Sequence, residues 1–371
     1  MSARLADVVA VLEDLYPPSW AEPWDAVGLV CGDPDSVVRR VLFAIDPLEA
    51  VVDEVVAGRF DLLVTHHPLW LRGTTSVAPT SAKGRVVHRL IGAGAALHVA
   101  HTNADVAEPG VSDALAALFD LRDLRPLSPR PEPLDKLVVF VPVDAADILL
   151  DRLSAAGAGA LGDYERCAWS TTGTGTFRPL AGAAPAIGQV GRVEQVPETR
   201  LELVVPRPRR EAVLAALLAG HPYEQPAYDL VQLADVPGRR GLGRVGALPE
   251  PMRLGELTAL AAHVLPATAS GVRAAGDPDR LVATLAVCGG SGDSLLGEAA
   301  CADAYLTADL RHHPASEAPE ELALLDVAHW ASEWPWLADA ARRVTARTTV
   351  ETVISTRVTD PWTHAARSPT A

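Results

Sequence analysis

The sequence predicts an α/β protein with a mixed, mostly parallel sheet flanked by helices, interrupted by an inserted ferredoxin-like α+β domain. Two observations support this fold class. In the first and last thirds of the chain, short apolar runs alternate with amphipathic helical segments, a pattern typical of parallel strands covered on both faces. The middle third changes to the order strand, helix, strand, strand, helix, strand, which is the ferredoxin-like order.

Length and composition restrict the number of domains, the compartment and the classes of partner that we expect. At 371 residues, 49% hydrophobic and 21% charged, the chain is expected to form more than one domain with sizeable cores. Its apolar runs are much shorter than the ~20 residues of a membrane helix, so we expect no membrane association. Four dispersed cysteines without a CxxC pair indicate reduced thiols in a cytoplasmic protein. A net charge of −15 makes nucleic acid an unlikely partner.

The first third contains a regular alternation of elements. Predicted helices cover residues 4–15, 47–57, 84–93 and 111–119. Predicted strands cover residues 40–46, 62–66 and 96–102. The proline-rich segment 125–133 has no hydrophobic period and is predicted to be a linker.

The remaining elements define the insert and the return to the first domain. The insert is predicted to contain strand 136–143, helix 145–156, a strand or hairpin over 164–179, a hairpin over 188–206, helix 209–219 and strand 227–233. After it come helix 254–264, strand 281–288, loop 289–294, helix 294–300, strand 304–307, helix 314–321, strand 322–327, helix 331–343 and strand 349–356. We therefore predict a discontinuous domain of residues 1–130 and 238–371 and an inserted domain of residues 134–236.

Imidazoles and carboxylates stand at the ends of several predicted strands. His66 and His67 end one strand, and Asp105 follows the next. His329 and Glu333 are four residues apart, so both project from one face if His329 begins a helix. The carboxyl ends of parallel strands meet at one sheet edge, and these side chains together predict a metal site. Singly, each has an ordinary alternative as a solvated turn, a surface pair or a helix cap.

Other polar segments carry weaker signals. His101, His312 and Asp309 could orient ligands or transfer protons, or could be ordinary polar residues. The glycine-rich stretch 288–296 could bind an anion, but a tight turn explains it better, because it matches neither a GxGxxG motif nor a Walker A loop. The segment 221–229, "HPYEQPAYD", could cover a metal cleft, although a simple helix end is the favoured interpretation.

Seven motifs occur in a fixed order. They are "WDAVGLVCGD" (24–33), "VTHHPLW" (64–70), "AHTNADVAEPGVSDALA" (100–116), "CGGSGDSLL" (288–296), "AYLTADLRHH" (304–313), "DVAHWASE" (326–333) and "STRVTDPW" (355–362). Together they resemble the GTP cyclohydrolase I type 2 homologues, the Nif-three-like family, over nearly the whole chain. The insert resembles the PII/CutA-like domain of the longer members.

The resemblance implies a dinuclear centre of divalent ions. The implied ligands are His66, His67, Asp105, His329 and Glu333. This mixed nitrogen and oxygen set suits Zn, Mn, Fe or Ni and selects poorly among them. The implied activity is hydrolysis of a small-molecule or nucleotide substrate, the candidate reaction being GTP ring opening to formate and dihydroneopterin triphosphate. His101 or His312 would be the catalytic proton donor. The resemblance also implies a homohexamer, a trimer of dimers.

The chain departs from the family pattern at three positions, where Ala26 replaces the Asn of "WDNVGL", Ala328 replaces the glycine before the ligand histidine, and Ala308 replaces the glycine of "TGD". The implied ligands are retained, while groups that could contact substrate differ. The second hypothesis, which the insert motivates, is a metal-binding regulatory or chaperone-like oligomer without turnover, whose insert senses a small molecule.

Overall fold

The structure, a computed structural model, describes residues 3–235 and 237–366; the predicted domain limits at residues 1, 236 and 371 lie outside them. The chain divides into two compact units. Unit 1 contains residues 1–130 and 239–371, and unit 2 contains residues 131–238. Within the described part of the chain, every helix is too short or too polar to cross a membrane.

The elements alternate as expected for an α/β protein. The strands are β1 (Ala3–Arg4), β2 (Gly28–Cys31), β3 (Val37–Val38), β4 (Arg40–Ala44), β5 (Leu62–Thr65), β6 (Ala96–Val99), β7 (Arg122–Pro131), β8 (Leu134–Pro142), β9 (Ala168–Phe177), β10 (Glu194–Pro206), β11 (Tyr228–Gln232), β12 (Pro237–Arg253), β13 (Val272–Ala275), β14 (Leu281–Ser291), β15 (Ala304–Ala308), β16 (Ala323–Val327) and β17 (Glu351–Ile354).

The helices connect these strands. They are α1 (Leu5–Leu15), α2 (Glu49–Gly58), α3 (Ala82–Gly92), α4 (Thr102–Asp105), α5 (Val111–Ala117), α6 (Ala146–Ala155), α7 (Arg210–Gly220), α8 (Leu254–Val264), α9 (Leu296–Ala299), α10 (His312–Ser316), α11 (His329–Glu333) and α12 (Pro335–Arg347). Short 3-10 turns cover Pro18–Trp20, Val143–Ala145, Arg207–Arg209 and Asp293–Leu295.

Unit 1 contains two large mixed sheets. One has the order β17-β4-β5-β6-β2, and the other has the order β13-β16-β15-β14-β12-β7. The neighbours from β17 to β6 are parallel, as are β14, β15 and β16, whereas β2, β12 and β13 pair antiparallel. The predicted α/β class, mostly parallel and flanked by helices, is confirmed. The expectation of one sheet with one shared edge is wrong, because β5 and β6 belong to one sheet and β16 to the other.

The largest of three hydrophobic clusters among the described residues of unit 1 joins side chains from both large sheets and their helices. Helix α1 shows why its sequence folds as it does. Leu5, Val8, Leu12 and Leu15 are buried at helical spacing, and they form one apolar stripe. The backbone N–H of Arg4 donates to the Asp7 carboxylate at 3.0 Å, which satisfies a donor at the start of the helix. The stripe packs into the same core as strands β4, β14 and β15.

Several predicted elements differ from the structure, and proline accounts for part of the difference in three of them. The predicted linker 125–133 is largely strand β7, which lies at the edge of its sheet, where proline is tolerated. The predicted helix 314–321 is the shorter α10, and the chain turns before Pro319. The predicted helix 331–343 is two helices, α11 and α12, with Pro335 at the first position of α12, where its missing N–H costs little. The predicted loop 289–294 also begins within β14, which extends to Ser291.

Unit 2 contains one antiparallel sheet of order β11-β8-β10-β9 with helices α6 and α7. Alternate residues of β8 and β10, including Leu137, Val139, Leu201 and Leu203, are buried in one apolar cluster, as expected for strands with one covered face. The predicted hairpin over 188–206 contains only one strand, β10, and residues 178–193 form an irregular loop before it.

Candidate metal centre

The strand ends of both large sheets in unit 1 contribute to one cluster of side chains. His66 and His67 directly follow β5, and Asp105 ends the short helix after β6. Strand β16 ends at Val327, and helix α11 begins at His329, so only Ala328 separates them. Because helical residues four apart share a face, His329 Nε2 lies 2.9 Å from Glu333 Oε1.

Glu333 lies between the histidines. Its side chain is 4% exposed, and its Oε2 atom is 3.0 Å from His67 Nε2. Its Oε1 atom is 3.5 Å from His66 Nε2, which in turn lies 3.6 Å from Asp105 Oδ1. The Nε2 atoms of His67 and His329 are 3.3 Å apart. The structure therefore brings all five residues of the predicted ligand set together.

The imidazoles at this site share one feature. The Nδ1 atom of each ring lies within hydrogen-bond distance of an oxygen atom outside the cluster. The acceptors are the carbonyl of Ala100 for His66 at 2.9 Å, Asp46 for His67 at 2.7 Å, Asp309 for His329 at 2.7 Å and Asp25 for His101 at 2.9 Å. Carbonyl and carboxylate oxygens only accept, so each Nδ1 carries the hydrogen and donates. The neutral tautomer then directs the Nε2 lone pair at the cluster, the arrangement typical of metal-ligating histidines.

The carboxylates make positive charge favourable inside the cluster. Burial opposes protonation of His67 and His329, but the charge of Glu333 and the bonds to Asp46 and Asp309 outweigh it and raise their pKa values to about 10 and about 11. Burial favours neutral Glu333, yet the charges of His67 and His329 hold its pKa well below the usual range. Protons and metal ions are the cations that such a site accepts in competition.

Buried atoms of the cluster indicate that a metal ion fits. Within residues 3–235 and 237–366, His66 Nε2 and Glu333 Oε2 are buried polar atoms whose close contacts lack hydrogen-bond geometry. Gly290 has a φ of +69°, and a Cβ at this position would overlap Glu333 Oε1 and crowd His329 Nε2, so glycine keeps the space open. Two groups of donors could each hold an ion: His66, His67 and His101, and His67, His329 and Glu333. Imidazole nitrogens and carboxylate oxygens are the donors that divalent transition metals prefer.

The two candidate catalytic histidines, His101 and His312, lie at different places in unit 1. His101 is close to the cluster, with its ring centroid 5.1 Å from that of His66 and its side chain 15% exposed. His312 is exposed at the start of α10 and lines a neighbouring cleft, which shares Leu310 and Asp326 with the cleft that contains His67 and His329. It belongs to neither group of donors.

Two carboxylates that orient the imidazoles, Asp46 and Asp25, were missed in the sequence. Asp46 lies two residues beyond the end of β4, and Asp105 lies six residues beyond the end of β6, so both carboxylates follow strands of the same sheet. Asp25 lies inside the "WDAVGLVCGD" motif and accepts hydrogen bonds from His101 and from the backbone and hydroxyl of Thr102. Burial raises the pKa of Asp25, but these bonds outweigh it and hold the pKa below the usual value.

The cluster opens into a cleft of about 940 Å³. Its floor contains His67, His101 and His329, and its walls include Lys83 and Trp362. The volume suits a nucleotide-sized or smaller ligand. Fold and site together define an α/β protein with a buried histidine–carboxylate cluster, suited to hold metal ions, at the carboxyl edge of its sheets.

Residues 3–361 match the family Duf34/NIF3 (NGG1p interacting factor 3), and the chain belongs to this family, which confirms the resemblance of its motifs. A Mycobacterium leprae (strain TN) protein named GTP cyclohydrolase 1 type 2 homolog is 52% identical over 377 residues, covering 99% of this chain and 97% of that protein. A Bacillus subtilis (strain 168) protein of the same name is 37% identical over 330 residues, 88% of each chain.

Solved structures show the same fold. A Bacillus cereus protein related to NIF3 matches with a TM-score of 0.85 and 33% identity, covering 98% of this chain and 100% of that one. A Staphylococcus aureus protein matches with a TM-score of 0.80 and 26% identity, covering 98% and 99%. The curated relatives carry the word "homolog" in their names, so the family is established while the reaction is a separate question.

Proposed function

We propose that this protein is a divalent-metal-dependent hydrolase with two ions per chain. The proposed ligands are His66, His67, Asp105, His329 and Glu333. One observation carries the proposal: the imidazole Nδ1 atoms are already bonded to acceptors, so the Nε2 atoms are fixed in direction toward the buried carboxylate of Glu333 and, for His66, the partly exposed carboxylate of Asp105. When bound, such ions supply Lewis-acid activation of water and of a polar substrate group.

His101 is the proposed proton-transfer residue. Its bond to Asp25 fixes the ring and the Nδ1 hydrogen, leaving Nε2 free to exchange a proton with a reacting group. The residue is buried enough to be positioned and exposed enough, at 15%, to reach a ligand in the cleft. His312 has no part in this proposal, because it lines the neighbouring cleft.

The proposed substrate is a nucleotide or another small polar molecule, and the names of the relatives suggest GTP. Ring opening of GTP consumes one water overall and yields formate and dihydroneopterin triphosphate. The cleft offers an ammonium from Lys83 for an anionic group and the indole of Trp362, 67% exposed, for a planar ring. These side chains support a substrate of that class.

Formate release from GTP tests the proposal. Purified protein loaded with Mn or Zn is expected to release formate, and His67→Ala is expected to bind less metal and lose at least 99% of that activity. His312→Ala, which changes an exposed imidazole outside the cluster, is the matched control and should retain wild-type activity. An inactive wild type with full metal content would refute the GTP reaction, and a fully active His67→Ala would refute the metal centre.

The second candidate function is a metal-binding regulatory oligomer without turnover. It is favoured by a cleft of about 580 Å³ in unit 2, lined by residues that include Phe177, Glu198 and Tyr223. The expected assembly for either function is a homohexamer, a trimer of dimers, which light scattering of the purified protein would measure. Stoichiometric metal without hydrolysis of any nucleotide or phosphoester tested would favour this second function.

A further inference from the structure

Unit 2 contains a cleft of about 580 Å³. It lies between the sheet and the loop 178–193, and its lining includes Phe140, Phe177, Leu180, Glu198, Tyr223 and Glu224. The loop is held over the cleft by Glu224, whose Oε2 accepts the backbone N–H of Ala184 at 3.0 Å. The Gly191 N–H also donates to the carbonyl of Pro179 at 2.8 Å, which closes the loop on itself.

Glu198 gives this cleft its charge. The residue lies on β10 and is 9% exposed. Its carboxylate occupies the space beside Gly175, where a Cβ would overlap it, so the β9 glycine makes room for the acid. Among the ion pairs of the described residues, none includes Glu198. A buried carboxylate without a counter-ion is costly unless a ligand or partner supplies one.

Tyr223 adds an unsatisfied polar atom to the same cleft. Its hydroxyl is buried and lacks a hydrogen-bond partner of normal geometry within the part of the chain that the structure describes. Burial comes first, and the close approach of the Glu198 carboxylate, through a hydrogen-bond contact and through its charge, further raises the pKa of Tyr223 above its usual value. Its ring packs against Phe177 at a centroid distance of 5.7 Å, so aromatic surface adjoins the two polar groups.

The chemistry of the lining distinguishes an organic cation from a metal ion. His221 packs against the Tyr223 ring, but both of its nitrogens are occupied: Nε2 lies 2.9 Å from the Phe140 carbonyl and Nδ1 accepts the Tyr223 backbone N–H at 3.0 Å. The imidazole thus has no lone pair left for a metal. One buried carboxylate, one hydroxyl and apolar walls suit an ammonium group with an apolar body better than a transition metal.

We propose that this cleft binds a small organic amine, with its ammonium group against Glu198 and Tyr223 and its apolar or aromatic body between Phe177 and the loop 178–193. The ammonium donates hydrogen bonds to the Glu198 carboxylate and to the Tyr223 hydroxyl oxygen, which satisfies both buried groups. The exposed Arg178 at the rim disfavours a second cationic group on the ligand. This site is independent of the metal centre and of its proposed reaction.

Ligand-observed NMR and calorimetry on the full-length protein test the site with 2-phenylethylamine as the probe. The amine is expected to bind saturably at pH 7. The neutral analogue 2-phenylethanol and the anionic 3-phenylpropionate keep the aromatic body and are expected to bind at least about tenfold more weakly, because they lack the charge-assisted bond. Equal binding of all three molecules would overturn the proposal.

Variants locate the probe. Glu198→Gln keeps the shape and removes the charge, and it is expected to weaken amine binding about tenfold or more, whereas Tyr223→Phe should weaken it a few-fold. Glu211→Gln, an exposed acid on α7, is the matched control and should bind as the wild type does. His67→Ala and chelated wild-type protein should also bind normally, since amines can ligate metals. Unchanged binding in both Glu198→Gln and Tyr223→Phe, or binding lost on chelation, would refute this site.

Discussion

The two units each bury a glutamate, and the groups around it differ. In unit 1 the carboxylate of Glu333 meets the Nε2 atoms of His66, His67 and His329. In unit 2 the carboxylate of Glu198 adjoins one hydroxyl and aromatic carbon. A metal ion needs several convergent donors at bonding distance, whereas an ammonium group needs one anion and an apolar wall. The number of converging donors, and not burial alone, therefore decides which cation each site favours.

His98 on β6 is a buried polar residue that does not mark a ligand site. It is 1% exposed, and neither ring nitrogen has a hydrogen-bond partner among residues 3–235 and 237–366. It adjoins neither cleft of the two units. A buried polar group without a partner thus indicates a ligand site only where a cavity and further donors accompany it.

The largest effect is expected from removing the central charge of unit 1. Glu333→Gln should weaken metal binding by more than about 100-fold, because a ligand carboxylate matters more than the outer partners, whose loss typically costs 10–100-fold. Metal content after dialysis and competition with a chelator would measure this. Glu351→Gln, an exposed acid on β17 with 58% of its side chain accessible, should keep wild-type affinity. If Glu333→Gln binds metal with the affinity of the wild type, the ions bind elsewhere.

The next effect concerns acid stability and His98. Burial lowers the pKa of His98 from 6.5 to about 4. Between pH 6.5 and 4, His98 is protonated in the unfolded chain but neutral in the folded chain. The free energy of unfolding therefore falls by about 3 kcal/mol as the pH drops from 6.5 to 4. His98→Leu, of similar volume, removes this dependence and should flatten the curve by that amount.

Urea unfolding of chelated protein across this pH range measures the effect of His98→Leu. His88→Leu replaces an exposed imidazole on α3 and should leave the pH dependence of the wild type unchanged. If His98→Leu also has the wild-type slope, the acid sensitivity comes from other groups.

A smaller effect is expected from Asp309, which accepts the Nδ1 hydrogen of His329 at 2.7 Å. This bond is the main cause that lowers the pKa of Asp309. Asp309 has a φ of +57°, a conformation that Asn tolerates, so Asp309→Asn removes the charge and keeps the backbone. Metal affinity should fall about tenfold. Asp279→Asn, at an exposed ion pair, should have no effect, and an equal loss in both variants would indicate general electrostatics.

Much of unit 1 was predictable because its signals are local. Apolar runs between amphipathic helices gave the parallel strands, and the carboxyl-edge rule brought His66 and His67 near Asp105 before any coordinates. The partners of the imidazoles were less accessible, because a single Asp46 or Asp25 has no periodic pattern and its role depends on a neighbour far along the chain. The edge strand β7 was missed because its prolines suggested a linker, and only the sheet order shows that β7 lies at an edge.

The last prediction compares two tyrosines with buried hydroxyl groups, one in each unit. In unit 1 the hydroxyl of Tyr16 accepts the indole N–H of Trp336 at 3.1 Å, so Tyr16→Phe leaves a buried donor unsatisfied and should destabilise the protein by about 1–3 kcal/mol. In unit 2 the Tyr223 hydroxyl adjoins Glu198 but makes no hydrogen bond of normal geometry to the described residues. Tyr223→Phe should therefore change the free energy of unfolding by less than about 0.5 kcal/mol. Urea denaturation of ligand-free protein measures both, and a large loss in Tyr223→Phe would show that its hydroxyl is satisfied within the folded chain, so that Glu198 alone would remain to hold an amine.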